Sequence, residues 1–376
     1  MPNFDIPRSR AYLTHRTMRE ALYQALEPIL FEPHAFDNAA LRPLEARFAQ
    51  LMQRSYACGV NSGTAGLFLA LKACEIGPGD EVITVGNSDI STTAAISHCG
   101  ATPVLCDVLL TDHTLDPALV EPLITERTAA IVPVDLYGHP ADVKRLRQTA
   151  DRYGLKIVED AALATGAWDY GQPVGAFADV AVFSFGAFKP MGSVGNGGMV
   201  VTDDTAIAER LQVFRSYGRA RPKRAEDFLR MEHIVEGYNL PLDPLEAAVI
   251  SVKLPLLEAW TARRRDIAAL YSQGLSDLEV GLPTVRPDSQ PTFYLYVIRV
   301  PNRDKIYQAL RSRGVEAGLS YVPPIYRQPV YREQPGQWNN LPVTDRLAKE
   351  LLCLPIAPEL LNSEVEFVVA TLKELM

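Results

Sequence analysis

Residues 183–198 read "FSFGAFKPMGSVGNGG" and place one lysine, Lys189, among Phe, Ala, Pro and Met, with glycines directly after it. A lysine that only needs water keeps charged company. Apolar neighbours here predict a desolvated amine, and the glycines predict a backbone that comes close to something. Upstream "DVAVFSF" and downstream "GGMVVT" read as two strands joined by this lysine loop.

The surrounding chain sets these strands in an alternating pattern. "EVITV" (81–85), "TPVLCDV" (102–108), "AAIVPVDLYG" (129–138) and "LKIVED" (155–160) are short apolar, β-rich runs. Helical spacing appears at 43–54, 64–74, 91–98 and 141–154 between and before them. Fully apolar strands alternating with amphipathic helices predict a mostly parallel sheet covered on both faces. A long amphipathic segment, 245–275, leads to a second region. Its strand is "TFYLYVIRV" (292–300) and its helix "RDKIYQALRSRG" (303–314), with Pro- and aromatic-rich loops (322–342) before two more helices. The expectation is an α/β protein with a large parallel-sheet domain over 1–250, including an N-terminal helical segment. A smaller C-terminal α+β domain is expected over 251–376.

Composition narrows the partners. The chain has 376 residues, 47% hydrophobic and 22% charged, with a formal net charge of -8. That balance suits an ordinary globular protein and argues against nucleic acid, which needs a basic surface. Five scattered cysteines without a CxxC pair predict neither a disulfide framework nor a thiolate zinc site, and they fit a reducing cytoplasm. The six histidines show no ligand spacing, so no metal is expected. The N-terminal residues lack the apolar stretch of a signal peptide, and no apolar run nears the roughly 20 residues that span a bilayer.

Two further stretches could carry chemistry. In "VNSGTAGLFLALKA" (60–73), Ser62-Gly63-Thr64 lies where a loop enters a helix, so free N–H groups, the helix dipole and two hydroxyls could receive an anion. A plain N-cap explains the same residues. In "IVEDAALATGA" (157–167), Glu159 and Asp160 stand at the C-terminal end of a strand, the edge where open α/β sheets bind ligands. A helix-capping role is the alternative for Asp160, and a surface lysine with its stem on apolar neighbours is the alternative for Lys189. Together, in this order, a helix-end phosphate site, a strand-end aspartate and a desolvated lysine meet the needs of pyridoxal 5'-phosphate (PLP). The phosphate anchors, the aspartate keeps the pyridinium nitrogen protonated, and the lysine attacks the aldehyde.

The sequence resembles the DegT/DnrJ/EryC1/StrS family of PLP-dependent sugar aminotransferases across nearly its whole length. The matching stretches include "YACGVNSGTAGLFLALKA", "GATPVLCDV", "DLYGHPADV", "VEDAA", the lysine loop, "FRSYGR", "EGYN" with "LDPLEAA", and "CLPIAPEL". The resemblance implies the type I, aspartate-aminotransferase-like fold. It makes Lys189 the Schiff-base lysine and proton shuttle, and Asp160 the partner of the pyridinium nitrogen. Ser62, Gly63, Thr64 and Ser184 would hold the phosphate. Asn239 would reach the phosphate of a neighbouring subunit, which implies a homodimer with shared sites. The implied reaction moves an amino group from glutamate or glutamine to a keto-sugar, commonly nucleotide-linked.

Four positions depart from the family pattern. Leu163 replaces a glutamine that approaches the cofactor's phenolic oxygen, and Asp89 stands where an aromatic ring stacks on the pyridine. Pro241 replaces a basic residue, while Ser320 and Tyr326 stand where histidines are common. These departures leave open a PLP enzyme doing elimination, replacement or oxidation at an amino acid instead. Arg219, Arg221, Lys223 and Arg224 read either as a clamp for a diphosphate or as a solvated loop; Tyr321 and Tyr326 either line a sugar pocket or pack the small domain.

Overall fold

A computed structural model of the chain describes residues 4–32, 40–219, 232–332 and 340–376. Its centre is a seven-stranded sheet: β1 (Tyr56–Val60), β2 (Glu81–Val85), β3 (Thr102–Cys106), β4 (Thr128–Ile131), β5 (Lys156–Asp160), β6 (Val180–Ser184) and β7 (Gly198–Thr202). The spatial order is β1-β7-β6-β5-β4-β2-β3. β7 pairs antiparallel with both its neighbours, and the pairs from β6 out to β3 are all parallel. The mostly parallel sheet read from the sequence is therefore present, and β6 and β7 form the antiparallel pair on either side of the lysine loop.

Strand alternation sorts the apolar residues onto two faces. Val180 and Val182 of β6, with Val200, Val158 and Val82, pack on helices Gly63–Ala73, Ile90–His98 and Thr205–Arg215. Ala181 and Phe183, one residue out of phase, turn to the opposite face and meet Phe48, Met199, Val201 and Ile250. On that same side Ile83, Ile131 and Ile157 lie on Leu146 and Ala150 of helix Val143–Tyr153. β2, β6 and β7 are buried at every position, which is why they read as unbroken apolar runs.

The second layer of the molecule is built on an antiparallel pair, β8 (Tyr296–Arg299) with β9 (Leu351–Leu354). Helices Leu257–Gly274, Arg303–Ser312 and Asn362–Leu375 pack on it. Helix Leu257–Gly274 serves both cores: Leu257 packs beneath the large sheet, while Ile267, Ala268 and Tyr271 pack with β8. Ile6 from the N-terminal segment lies in this second core and bridges Val315. Arg10 adds a two-pronged ion pair to Glu364, at 2.6 and 3.1 Å.

The structure corrects two sequence expectations and divides a segment that the sequence left whole. The run 129–138 is a strand only to Ile131; Tyr137 and Gly138 then turn through positive φ (60° and 90°), which a strand cannot contain. The amphipathic segment 245–275 is two helices, Pro244–Lys253 and Leu257–Gly274, split by a 3₁₀ turn at Leu254–Leu256. Pro255 lacks the N–H that would continue the ladder. Finally, β9 stands between the last two long helices, where only helices were expected. None of the helices among the described residues is long and apolar enough to cross a membrane.

Candidate active site

The C-terminal ends of adjacent strands bring the chemistry together. Asp160 is the last residue of β5 and Ser184 the last of β6, and Val182 pairs with Asp160 across the two strands. On the next two strands, Ser184 pairs with Gly198, and Gly198 with Val60, two residues before Ser62. The sheet register thus sets Ser62, Ser184 and Asp160 along one edge. Gly198 is the hinge of this edge. A Cβ there would come within 2.8 Å of Phe183 O and 2.9 Å of Ser62 C, so only glycine lets β7 pass so close.

The lysine loop leaves this edge in a compact series of turns. Lys189 N donates to Gly186 O at 2.8 Å, and Gly192 N donates to Lys189 O at 2.9 Å. Ser193 N returns to Phe185 O at 2.8 Å, and Phe185 N to Gly197 O at 2.7 Å. Burial lowers the pKa of Lys189, and the attraction of Asp160 and Asp89 opposes it. A lowered pKa enlarges the neutral, nucleophilic fraction of the amine. The cover differs from the sequence expectation in one respect. Phe188, next to the lysine in the chain, is 75% exposed and turns away from it. The aromatic face over the amine belongs to Tyr294, 105 residues further on, with Lys189 Nζ 5.3 Å from its ring centre.

Asp160 is 4% exposed. Its Oδ2 accepts from Thr92 Oγ1 at 2.9 Å and its Oδ1 from Ala162 N at 3.2 Å. Burial raises its pKa; the Thr92 and Ala162 bonds and the Lys189 charge pull it back. A buried carboxylate held by two neutral donors is an environment that favours a nearby cationic N–H. Thr92 is the residue that sequence reasoning missed. It lies on helix Ile90–His98, 68 positions from its partner, and nothing local marks it.

Glu159, one residue earlier, points to the other face of β5 and is buried behind the site. Burial pushes its carboxyl up to about 7, and Asp135 beside it is also raised by burial and by Glu159.

The Ser62-Gly63-Thr64 turn opens helix Gly63–Ala73, as expected. Ser62 caps it, accepting from Ala65 N at 3.1 Å, so the capping role is real. The cap leaves the hydroxyl proton with only a long 3.5 Å approach to Asn61 Oδ1. Gly63 packs against Ser184: an added Cβ would lie 3.0 Å from Ser184 Cβ and 3.3 Å from its Oγ. Ser184 Oγ accepts from Gly186 N at 3.3 Å. Thr64 is exposed at the helix start. Two hydroxyls at a helix N-terminus, brought together by a glycine that lets Ser184 pack close, suit a phosphate.

The unusual positions divide between mouth and core. Asp89 is exposed and caps helix Ile90–His98 through Ser91 N at 2.9 Å. It borders a cleft of about 230 Å³ with Ser320, Tyr321 and Gln328, and its charge reaches both Lys189 and Asp160. Leu163 is buried in the apolar core with Leu136 and Leu295, and only its carbonyl makes a polar contact, from Thr292 Oγ1 at 3.1 Å. Ser320 contributes its carbonyl to Tyr137 OH at 2.7 Å. Tyr326 donates to Asp345, which also holds Arg327 at 2.6 Å, so its hydroxyl is occupied away from the cleft. Tyr321 stacks on Tyr137, ring centres 6.5 Å apart and planes at 11°.

Asn239 is exposed, its backbone bridged to Ser216, and Pro241 bridges Val60. Arg219 is exposed and bridges His233, while Arg221, Lys223 and Arg224 lie outside the described residues.

Half-buried Lys189, the buried strand-end Asp160 and the helix-end turn lie at one edge of the sheet, and comparison with known proteins finds the same fold. The sequence profile of the DegT/DnrJ/EryC1/StrS aminotransferase family matches residues 19–373. The chain belongs to this family. It is 40% identical over 370 residues to "Erythromycin biosynthesis sensory transduction protein EryC1" of Saccharopolyspora erythraea, covering 98% of this chain and 99% of the other. It is 42% identical over 335 residues to "dTDP-3-amino-3,4,6-trideoxy-alpha-D-glucose transaminase" of Streptomyces venezuelae, covering 89% and 86%. The crystal structure of S. venezuelae DesV "in complex with ketimine intermediate" superposes with a TM-score of 0.92 at 38% identity, over 100% of this chain and 99% of that one. A Bacillus subtilis protein, ntda, solved "with bound cofactor pmp", gives a TM-score of 0.87 at 26% identity, over 99% and 87%. The α/β fold with a mostly parallel central sheet is thereby established for this chain.

Proposed function

We propose that this aminotransferase uses PLP and moves an amino group from an amino acid, glutamate or glutamine, to a keto-sugar carried on a nucleotide. One observation carries the reading: a covered lysine of lowered pKa and a buried aspartate share the C-terminal edge of β5 and β6 with a helix-end hydroxyl cradle. Its place in the family supports the transamination, and the sugar-transaminase names of relatives that match most of the chain support the acceptor.

The residues present fit PLP. The turn Ser62-Gly63-Thr64 and Ser184 would hold the phosphate, Asp160 would receive the ring N–H, and Lys189 would anchor the carbonyl end. PLP, when bound, supplies a cationic ring that takes up the electron pair left at a substrate carbon after its proton departs. Asp160 keeps the proton on the ring nitrogen, because a carboxylate in apolar surroundings strongly prefers a charged donor. Thr92 and Ala162 orient that carboxylate. Lys189, its pKa lowered by burial, would take the proton from the amino-bearing carbon and return it at the neighbouring carbon. Tyr294 closes one side over the amine and limits water there. Asp89, at the mouth, adds negative charge in place of an aromatic surface. Leu163 lies in the apolar core.

The same reading makes the enzyme a cytoplasmic homodimer. Phe188 and Val194 of the lysine loop are 75% and 56% exposed, and Ile234 and Val235 are exposed as well. Apolar surface beside an active site is what a partner subunit would cover. The five cysteines are all buried and no disulfide joins them, which suits a reducing compartment.

The test is direct. Borohydride reduction of the PLP-loaded protein, followed by digestion, should place the pyridoxyl label on Lys189. Lys189→Ala should then lose both the label and release of 2-oxoglutarate from glutamate. A label at another position would refute the assignment.

A further inference from the structure

The lysine loop is held from below by one face of helix Pro244–Lys253. Lys253, its last residue, is 4% exposed, and its ammonium donates to the carbonyl of Gly192. Glu246, seven residues earlier, lies two turns up the same face. Its carboxylate accepts from Gly195 N at 3.2 Å, and its carbonyl from Ser193 Oγ at 3.5 Å. The two side chains therefore grip the loop at both ends of the segment Gly192–Gly195.

The grip leads straight to the reactive amine. Gly192 N is bonded to Lys189 O, and Lys189 N to Gly186 O, so one residue separates the buried ammonium from the Lys189 carbonyl. The loop has no slack to absorb a displacement of Gly192. A Cβ on that residue would strike Ala187 O at 2.4 Å and Gly186 O at 2.8 Å, so the turn is already closed on itself.

A buried ammonium is costly unless its charge is met. Burial lowers the pKa of Lys253 to about 8, against the attraction of Glu359 and Glu246. Glu359 also accepts from Thr14 of the N-terminal helix Ala11–Thr17. A small cavity of about 40 Å³, bounded by Lys189, Lys253, Arg264, Thr14 and Glu359, lies where these elements meet. A hydrophobic residue would fill this place at less cost, if packing were all that it required.

We propose that Lys253 is a positioning residue, which with Glu246 fixes the 186–195 turn so that the Lys189 amine keeps its place beneath Tyr294, within reach of the Asp160 charge. The inference rests on the reading of Lys189 as the reactive amine. Its first test does not need the cofactor. In cofactor-free protein, Lys253→Met should speed amide exchange at Lys189, Gly192 and Ser193 about tenfold or more, the range expected for loss of a charge-assisted hydrogen bond. Amides of Val180–Ser184 should keep wild-type protection, which shows that the sheet is folded.

In PLP-loaded protein the same change should lower kcat about tenfold or more, with KM for glutamate within twofold. Lys253→Gln keeps an N–H donor for Gly192 and should recover most of both effects. If Lys253→Met fails to fold, Glu246→Ala, which removes the side-chain acceptor of Gly195 N and leaves the backbone carbonyl for Ser193 Oγ, should still loosen Gly195 selectively. Unchanged loop exchange, or exchange that rises equally in loop and strand, overturns the proposal. Failure of the underlying reading would look different: wild-type protein would take no label at Lys189, whatever the exchange data showed.

Discussion

Thr92→Val isolates the hydrogen bond that orients Asp160. Valine matches threonine in shape, so the core around helix Ile90–His98 keeps its packing, and what disappears is the O–H donated to Asp160 Oδ2 at 2.9 Å. Thr92 is 2% exposed, so water cannot replace that donor without rearrangement. A hydrogen bond to a charged group is worth ~1.5–3 kcal/mol, and one between neutral groups ~0.5–1.5 kcal/mol. The penalty must therefore depend on pH.

Burial raises the Asp160 pKa in the folded chain, and the Thr92 bond acts against that rise. With the bond gone, the folded-state pKa climbs further. A carboxyl whose folded pKa lies above its unfolded one favours folding while protonated and loses that benefit as pH rises. The variant should lose more than the wild type does. Urea midpoints of cofactor-free protein, taken from pH 4 to 9, should show a gap of ~1.5–3 kcal/mol at the alkaline end, shrinking by about 1 kcal/mol at the acid end. The gap from loss of the neighbouring Ser88 contact (2.7 Å) is the same at every pH and subtracts out. A penalty that stays constant across the range would refute the account of Asp160 as a buried carboxylate held ionised by its donors.

Asp160→Asn keeps the shape and removes the charge, so turnover with glutamate should fall about 100-fold or more while the PLP-free fold survives; steady-state kinetics and thermal melting check the two halves. Gly198→Ala puts a methyl 2.8 Å from Phe183 O, and should cost ~1–3 kcal/mol and weaken PLP retention, measured by melting and by dialysis. Glu159, pushed up to about 7 by burial, retains a proton that the unfolded chain releases near 4.5, so its contribution to stability is whole at acid pH and lost as pH rises through 7. Glu159→Gln cannot titrate and should flatten the stability curve between pH 5 and 8; a slope equal to that of the wild type would rule out the buried acid.

Much of the site lies close to the chain's local grammar. Asp160 and Ser184 end apolar strands, and the change from apolar to polar residues marks where those strands stop. Lys189 follows from its neighbours in kind, though not in detail. The sequence marks a lysine among apolar residues, yet Phe188 faces solvent and Tyr294 supplies the cover. The chain gives no local sign of this, because a turn sends successive side chains in different directions. The break at Pro255 is a different case: the apolar spacing runs through it, but the proline marks it locally through its missing N–H.

By itself, then, the order of residues carried the alternation of strand and helix, the family, and the candidate lysine and strand-end acid, since local pattern and motif mark each of them. Tertiary structure alone decided which distant groups serve them. Thr92 reaches Asp160, Tyr294 lies over Lys189, and Lys253 reaches Gly192, across 68, 105 and 61 positions. Those meetings depend on strand order, on the register that sets Ser184 beside Gly198, and on how the second core docks on the first. Such contacts arise when burial of separate apolar faces brings remote segments together, and no periodicity along the chain encodes them.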